Sequence, residues 1–184
     1  MTFDLCSIEA FFHGSPEEVK FPDILVGRLR NDFGRGFYTF PSRKDAYDWA
    51  QAKRRQLHSE EAFVNRFDLN DHGRLLTVKL FDRDIEEDLL QWVKFVVFNR
   101  EYRNIVSSDP LDGEQYDAIV GPTANSNLAD EFDLLLTGRV RGKTIDEMLL
   151  NFVHNLEIDR LDNQVCFKTK KAERALRYIG VEKC

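Results

Sequence analysis

Apolar residues along the chain change from alternating to helical spacing several times, with no fixed rhythm. Ser7 to Phe12 reads as a short strand ending at His13-Gly14-Ser15-Pro16, where glycine and proline supply a turn, and a polar loop follows. From Ala46 the spacing of Trp49, Ala50 and Leu57 is helical, and Ser42 with Asp45 supplies the start signal of an exposed, amphipathic helix. Phe63, Phe67 and Leu69 fall on one side of a strand; Leu76, Val78 and Leu80 do the same on the next, and the two are predicted to pair antiparallel. Leu89, Trp92, Val93, Val96 and Val97 form a helical stripe that ends at Asn99-Arg100. Tyr116 to Val120 reads as a buried strand closed by Gly121-Pro122. Two helices are predicted after it, from about Leu128 to Leu136 and, capped by Thr144 with Glu147, to about Leu156. Gln164 to Lys168 is a further strand, and Thr169 opens a last helix carrying Ala172, Ala175, Leu176 and Ile179. Strands separated by unevenly placed helices, with hairpin-like pairing early on, predict an α+β fold rather than a doubly wound parallel sheet.

Composition narrows the class. The 184 residues are 42% hydrophobic and 32% charged, as in an ordinary globular fold, and no repeat or Pro/Gly/Ser-rich linker divides them, so one domain over residues 1–184 is expected. Twenty-six Lys and Arg against 32 Asp and Glu give a net charge of −6, which excludes a strongly basic nucleic-acid binder. Cys6, Cys166 and Cys184 form no CxxC, so inert, reduced thiols in a cytoplasmic protein are expected. The longest apolar run, Leu89 to Phe98, is interrupted by Gln91 and Lys94, and no basic segment precedes an apolar one at the N-terminus; neither a membrane span nor an export signal is predicted.

Three familiar signatures fail on counting. Gly138-Arg139-Val140-Arg141-Gly142-Lys143-Thr144 has one residue too few between its glycines for a phosphate-binding loop, and it follows a helical rather than a strand pattern. Asp32-Phe33-Gly34 lacks the other kinase motifs. His13, His58, His72 and His154 show neither HxH nor HExxH spacing, so no metal is expected, and the last three read as solvent-facing or structural. Lys53-Arg54-Arg55, a tight basic run, reads as a solvated helical face.

Two segments remain unusual: Phe11-Phe12-His13-Gly14-Ser15 and Asp32-Phe33-Gly34-Arg35-Gly36-Phe37-Tyr38-Thr39-Phe40. The first sets a histidine and a glycine at a strand end, where backbone amides can be left for a ligand. In the second, glycines flank Arg35 on a loop, and aromatics enter a strand on both faces of its pleat. Such a loop can hold an anion on arginine and stack a flat ring on tyrosine. Equally, the aromatics can fill a core while the glycines make a turn.

Together these segments resemble a bacterial family of unassigned function whose pattern runs His-Gly-Ser, Asp-Phe-Gly-Arg/Lys-Gly-Phe-Tyr, then Ala-x-x-Trp-Ala in a helix. Ala46-Tyr47-Asp48-Trp49-Ala50 matches the last block, and Asn99-Arg100, Tyr116-Asp117, Gly121-Pro122 and Asn163-Gln164 match later ones in order. That family in turn resembles the ADP-ribosyltransferase fold of diphtheria-type toxins and poly(ADP-ribose) polymerases. The resemblance implies two crossed, mostly antiparallel sheets around an NAD cleft with flanking helices, NAD as substrate and no metal. It implies that His13 bonds a ribose hydroxyl of the adenosine half, the Gly14 backbone clamps the nicotinamide carboxamide, and Tyr38 stacks on the nicotinamide ring.

Around these, Arg35 beside Gly36 is a contact for the diphosphate, since a guanidinium fork matches phosphate oxygens. Ser15 assists near the carboxamide or caps the turn, and Asn125 lines the cleft or satisfies its own backbone. Gln164 stands where the well-known transferases carry a glutamate. It can serve the ribose 2′-hydroxyl but gives no full charge to the developing cation, and losing about 3 kcal/mol of stabilisation slows chemistry about a hundredfold. Glu131 or Asp133 could supply the missing carboxylate. The expected function is an ADP-ribosyltransferase or NAD glycohydrolase, with protein a better acceptor than nucleic acid for so acidic a chain, acting as the toxin of a toxin–antitoxin pair. The alternatives are a non-catalytic module binding NAD or ADP-ribose, and a protein-interaction domain.

Overall fold

A computed structural model describes residues 4–100, 105–124, 142, 144–155 and 161–184. A 3-10 turn at Leu5–Ser7 leads to β1 (Phe11–Ser15), and β2 (Phe37–Thr39) follows a long loop. Then come α1 (Arg43–Leu57), β3 (Phe63–Leu69), a 3-10 turn at Asp71–Leu75, β4 (Val78–Leu80) and α2 (Glu86–Asn99). β5 (Ala118–Pro122), α3 (Ile145–Asn155), β6 (Asn163–Phe167), α4 (Lys170–Ala175) and β7 (Leu176–Lys183) complete the described elements.

Local signals account for the helix ends. Ser42 caps α1 by accepting the Asp45 N–H, and Thr144 accepts the Glu147 N–H ahead of α3. α2 has no side-chain cap, but Glu86, Glu87 and Asp88 place negative charge against the positive end of its dipole. The predicted helix at 128–136 lies outside the described residues.

The strands form two mostly antiparallel sheets, β1-β3-β7 and β2-β6-β5-β4, so the architecture is α+β. Three expectations are corrected. The strand predicted at Ser7–Phe12 lies later, at Phe11–Ser15, because Asp4 caps a 3-10 turn over Leu5–Ser7. β3 and β4 do not pair: the turn at Asp71–Leu75 carries the chain out of the first sheet, and β4 joins β5 in parallel, with α2 making the crossover. The helix opened by Thr169 stops at Ala175, and Leu176 onward becomes β7, whose partner β3 lies some hundred residues earlier in the chain.

The facing sheets enclose one core, built on Phe11, Phe37, Phe67, Val165 and Phe167. The far side of the second sheet carries another, where Trp92, Val93 and Val96 of α2 meet Leu149 and Phe152 of α3, with Phe33 and Cys166. The second sheet is thus buried on both faces. On the outer side of the first sheet, Ala46 of α1 packs with Val64. The two sheets meet at the β1–β2 edge, where Phe12 and Phe40 exchange two backbone hydrogen bonds of 2.8 Å.

Candidate functional site

Beyond the Phe12–Phe40 bridge β1 and β2 separate, and a cavity of about 840 Å³ opens between them, within the range of small-molecule sites. His13, Gly14, Ser15, Gly36, Tyr38 and Gln164 all line it. Loop residues 16–31 supply much of its other wall.

His13 faces the second sheet and stacks on Phe37, with ring centroids 4.6 Å apart. Its Nδ1 lies 2.7 Å from the Tyr38 carbonyl oxygen, so this nitrogen carries the proton and Nε2 is left as an acceptor. Burial lowers the pKa of His13 more than this hydrogen bond raises it, which keeps the ring neutral.

Gly14 is fixed by a close approach: a Cβ there would strike the Ala46 carbonyl oxygen and lie 2.9 Å from the Ala50 nitrogen, so α1 rests directly on the strand. Phe12 gives its N–H and carbonyl to Phe40 rather than to β3. By strand alternation Gly14 turns the same two groups toward the opening between the sheets. A donor and an acceptor thus stand side by side on a strand edge.

The Asp-Phe-Gly-Arg-Gly-Phe-Tyr segment builds the platform opposite. Phe33 is fully buried, and Gly34 turns the loop with φ 73°. The Tyr38 hydroxyl donates to the Gly34 carbonyl (2.6 Å) and accepts the Phe33 N–H (3.0 Å). Both hydroxyl roles are spent on its own loop, so Tyr38 offers a ring rather than a phenol. Burial, followed by the neighbouring Cys166 thiol and Asp32 carboxylate, pushes the phenol pKa well above its usual value and keeps it protonated.

Gln164 is 4% exposed and shares the sheet face of Tyr38, two residues along from Cys166 opposite Tyr38. Its Nε2 donates to Asp32 Oδ2 (2.9 Å) and to the Pro122 carbonyl (3.3 Å). Both neighbours are acceptors, so the socket demands a donor; an ionised glutamate would face a carboxylate and a carbonyl. This is a physical reason for an amide at this position. Asp32 also accepts the Ala124 N–H on Oδ2 (2.9 Å) and the Arg100 Nη2 on Oδ1 (2.6 Å), which neutralises its charge. Arg100 reaches on to the Ala124 carbonyl (2.6 Å), joining α2 to the turn after β5.

A profile of the family described as "Protein of unknown function (DUF3990)" matches residues 10–178. The chain belongs to this family. No curated protein and no solved structure matches it.

In this DUF3990 chain, the remaining site residues fall as follows. Ser15 lines the cavity but is committed to the turn, donating to the Glu17 carbonyl and accepting Asn65 Nδ2 at 3.0 Å. Arg35 is exposed and is not among the residues that line the cavity, since the loop turns outward at Gly34. The lining cations include Lys53 and Arg28, and Lys53 sits over the Trp49 ring at 4.7 Å. Burial, then the Arg28 charge, lowers the Lys53 pKa. The Lys53 face predicted to be solvated therefore forms cavity wall. Asn125, Glu131 and Asp133 lie outside the described residues. Among the described residues no group of three or more His, Cys, Asp or Glu is gathered for a metal, and no helix is long and apolar enough to cross a membrane.

Sequence reasoning gave no role to Asp32, Arg100, Thr123 or Asn65. Asp32 and Arg100 both stood in the motif blocks, but a pairing across 68 positions leaves no local trace. Asn65, fully buried, ties the start of the loop by accepting the Val19 N–H at 2.8 Å.

Proposed function

We propose that the protein is an ADP-ribosyltransferase-like enzyme that binds NAD at the seam of its two sheets and breaks the bond between nicotinamide and ribose. The observation that carries this reading is the convergence of His13, Tyr38 and Gln164, from three strands, on one cavity at the seam of the two sheets. The strand edge at Gly14 offers adjacent donor and acceptor groups, the complement of a primary carboxamide. Tyr38 presents its ring for the nicotinamide, and His13 Nε2 accepts from a ribose hydroxyl of the adenosine half. Lys53 and Arg28, rather than Arg35, hold the diphosphate.

In the reaction, the C1′–N bond breaks and nicotinamide leaves with the electron pair. An acceptor nucleophile then attacks C1′ and releases its proton to solvent; water in that place gives glycohydrolysis. The protein's contribution is to hold the dinucleotide bent, exclude water and orient the acceptor, for which a protein side chain suits this acidic chain better than nucleic acid. A regulatory antitoxin and a cytoplasmic setting fit a toxin role for such an activity.

Incubation with NAD and measurement of free nicotinamide tests the reading, with His13→Ala and Tyr38→Ala each expected to weaken NAD binding tenfold or more by calorimetry. Unchanged NAD affinity in both variants overturns the site assignment. A second reading, a module that binds NAD or ADP-ribose without cleaving it, is favoured by the neutral Gln164 amide tied to a charge-paired Asp32. NAD binding without nicotinamide release would select it.

A further inference from the structure

The turn after β5 holds a polar group that its surroundings leave unused. Thr123 is 7% exposed and lines the cavity, and its Oγ1, which is itself out of solvent contact and reaches a ligand there by a turn about χ1, has no hydrogen-bond partner among the described residues. Thr39, also buried, gives its hydroxyl to the Val165 carbonyl, so the omission is specific to Thr123. Nor is the turn loose. The Thr123 N–H donates to the Asp162 carbonyl at 2.8 Å, the Ala124 N–H is held by Asp32, and the Pro122 carbonyl accepts both Trp92 Nε1 (3.0 Å) and Gln164 Nε2. A valine would fill the same space without stranding a hydroxyl.

We propose that Thr123 is a substrate-contacting residue whose hydroxyl, together with the Gln164 amide oxygen, receives two neighbouring hydroxyls of one ribose. This deepens the NAD reading above and rests on it. The donor pattern selects the ligand group. Gln164 spends its Nε2 on Asp32 and Pro122, so it has only an acceptor to offer, while Thr123 can donate or accept. A vicinal diol satisfies both, one hydroxyl donating to Gln164 and the next bonding Thr123. A phosphate or carboxylate brings no donor for the amide oxygen and would lie next to the Asp32 carboxylate. Lys53 and Arg28 are the cations suited to the ligand's anionic part.

The test is calorimetry of the whole protein with NAD and with the NAD analogue lacking both hydroxyls of the nicotinamide ribose. Wild type is expected to bind the analogue at least tenfold more weakly than NAD. Thr123→Val is expected to lose about fivefold to tenfold in NAD affinity, to bind the analogue as wild type does, and to melt at the same temperature or higher; Thr123→Ser is expected to keep wild-type affinity. A Thr123→Val protein that binds NAD within twofold of wild type overturns the proposal, as does one that weakens NAD and the analogue equally. So does a melting temperature several degrees lower, the mark of a purely structural threonine. If the variant does not fold, equal affinity of wild type for the two ligands overturns it. Absence of any NAD binding by wild type removes the NAD reading and this inference with it, whereas NAD binding indifferent to Thr123 removes this inference alone.

Discussion

An aspartate is buried near each end of β5, and the two are used differently. Before the strand, Asp117 accepts the Thr77 N–H (2.9 Å) and the Lys171 ammonium (2.7 Å) on Oδ2 and the Thr169 hydroxyl (2.6 Å) on Oδ1. After it, Asp32 accepts from Arg100, Ala124 and Gln164. Both carboxylates are well supplied with donors, and each is neutralised by a cation. The surroundings differ: every group around Asp117 is consumed in joining β4, β5 and α4, whereas Asp32 stands on the cavity wall beside Thr123, whose hydroxyl has no partner among the described residues. A buried charge alone says little about function; what its neighbours leave unbonded says more.

Variants can break this contrast. The largest effect is expected from Arg100→Ala, which strands the buried Asp32 charge and should cost about 3–5 kcal/mol in urea unfolding while abolishing NAD binding. Asp117→Ala should cost about 2–3 kcal/mol yet leave the folded protein's NAD affinity intact; equal damage to NAD binding would end the distinction between the two ends.

Gln164→Glu comes next. A glutamate beside Asp32 has its pKa raised above the unfolded value, so stability is kept where the group is protonated, below about pH 4, and declines as pH rises through the raised value. A loss of about 1–3 kcal/mol at pH 7 that shrinks toward pH 5 is expected; a pH-independent loss would contradict the socket described for Gln164.

For Asp117 the sign is opposite. Burial pushes its pKa up, but hydrogen bonds from Lys171, Thr169 and Thr77 outweigh this and hold it at about 2. Its contribution is present above the unfolded value near pH 4 and is lost as pH falls toward 2; about 1–2 kcal/mol should disappear over that interval, and Asp117→Ala should lack this acid limb. The smallest effect concerns His13. Because burial lowers its pKa below the ordinary histidine value, any acid-side loss of NAD affinity through His13 should set in at lower pH than an ordinary histidine would give. A sharp loss near pH 7 would show that the ring is not held neutral.

How much was legible follows the range of the interactions. α1, β3, α2 and α3 were readable because their spacing and, for α1 and α3, their caps are local. β7 was not: Leu176–Lys183 carries Leu176 and Ile179 at helical spacing, and only its ladder with β3 makes it extended. The parallel pairing of β4 was hidden for the same reason. His13, Tyr38 and Gln164 stood out within sequence blocks, and the structure places all three on one cavity. Asp32 and Arg100 stood in such blocks too, but their pairing, like the unpartnered hydroxyl of Thr123, exists only once the chain is folded. Lys53 looked solvated because a basic run on a helix gives no sign of the loop that lies across it.

The contact between Gly14 and α1 sets a length. With no side chain between them, helix and strand touch backbone to backbone, and Lys53 follows Ala50 by less than one turn. The separation between the open strand edge at Gly14 and the Lys53 backbone is therefore fixed, and only the four-carbon Lys53 stem adjusts the place of its ammonium. A molecule engaging both the strand edge and the ammonium must fit the span that this one side chain can close.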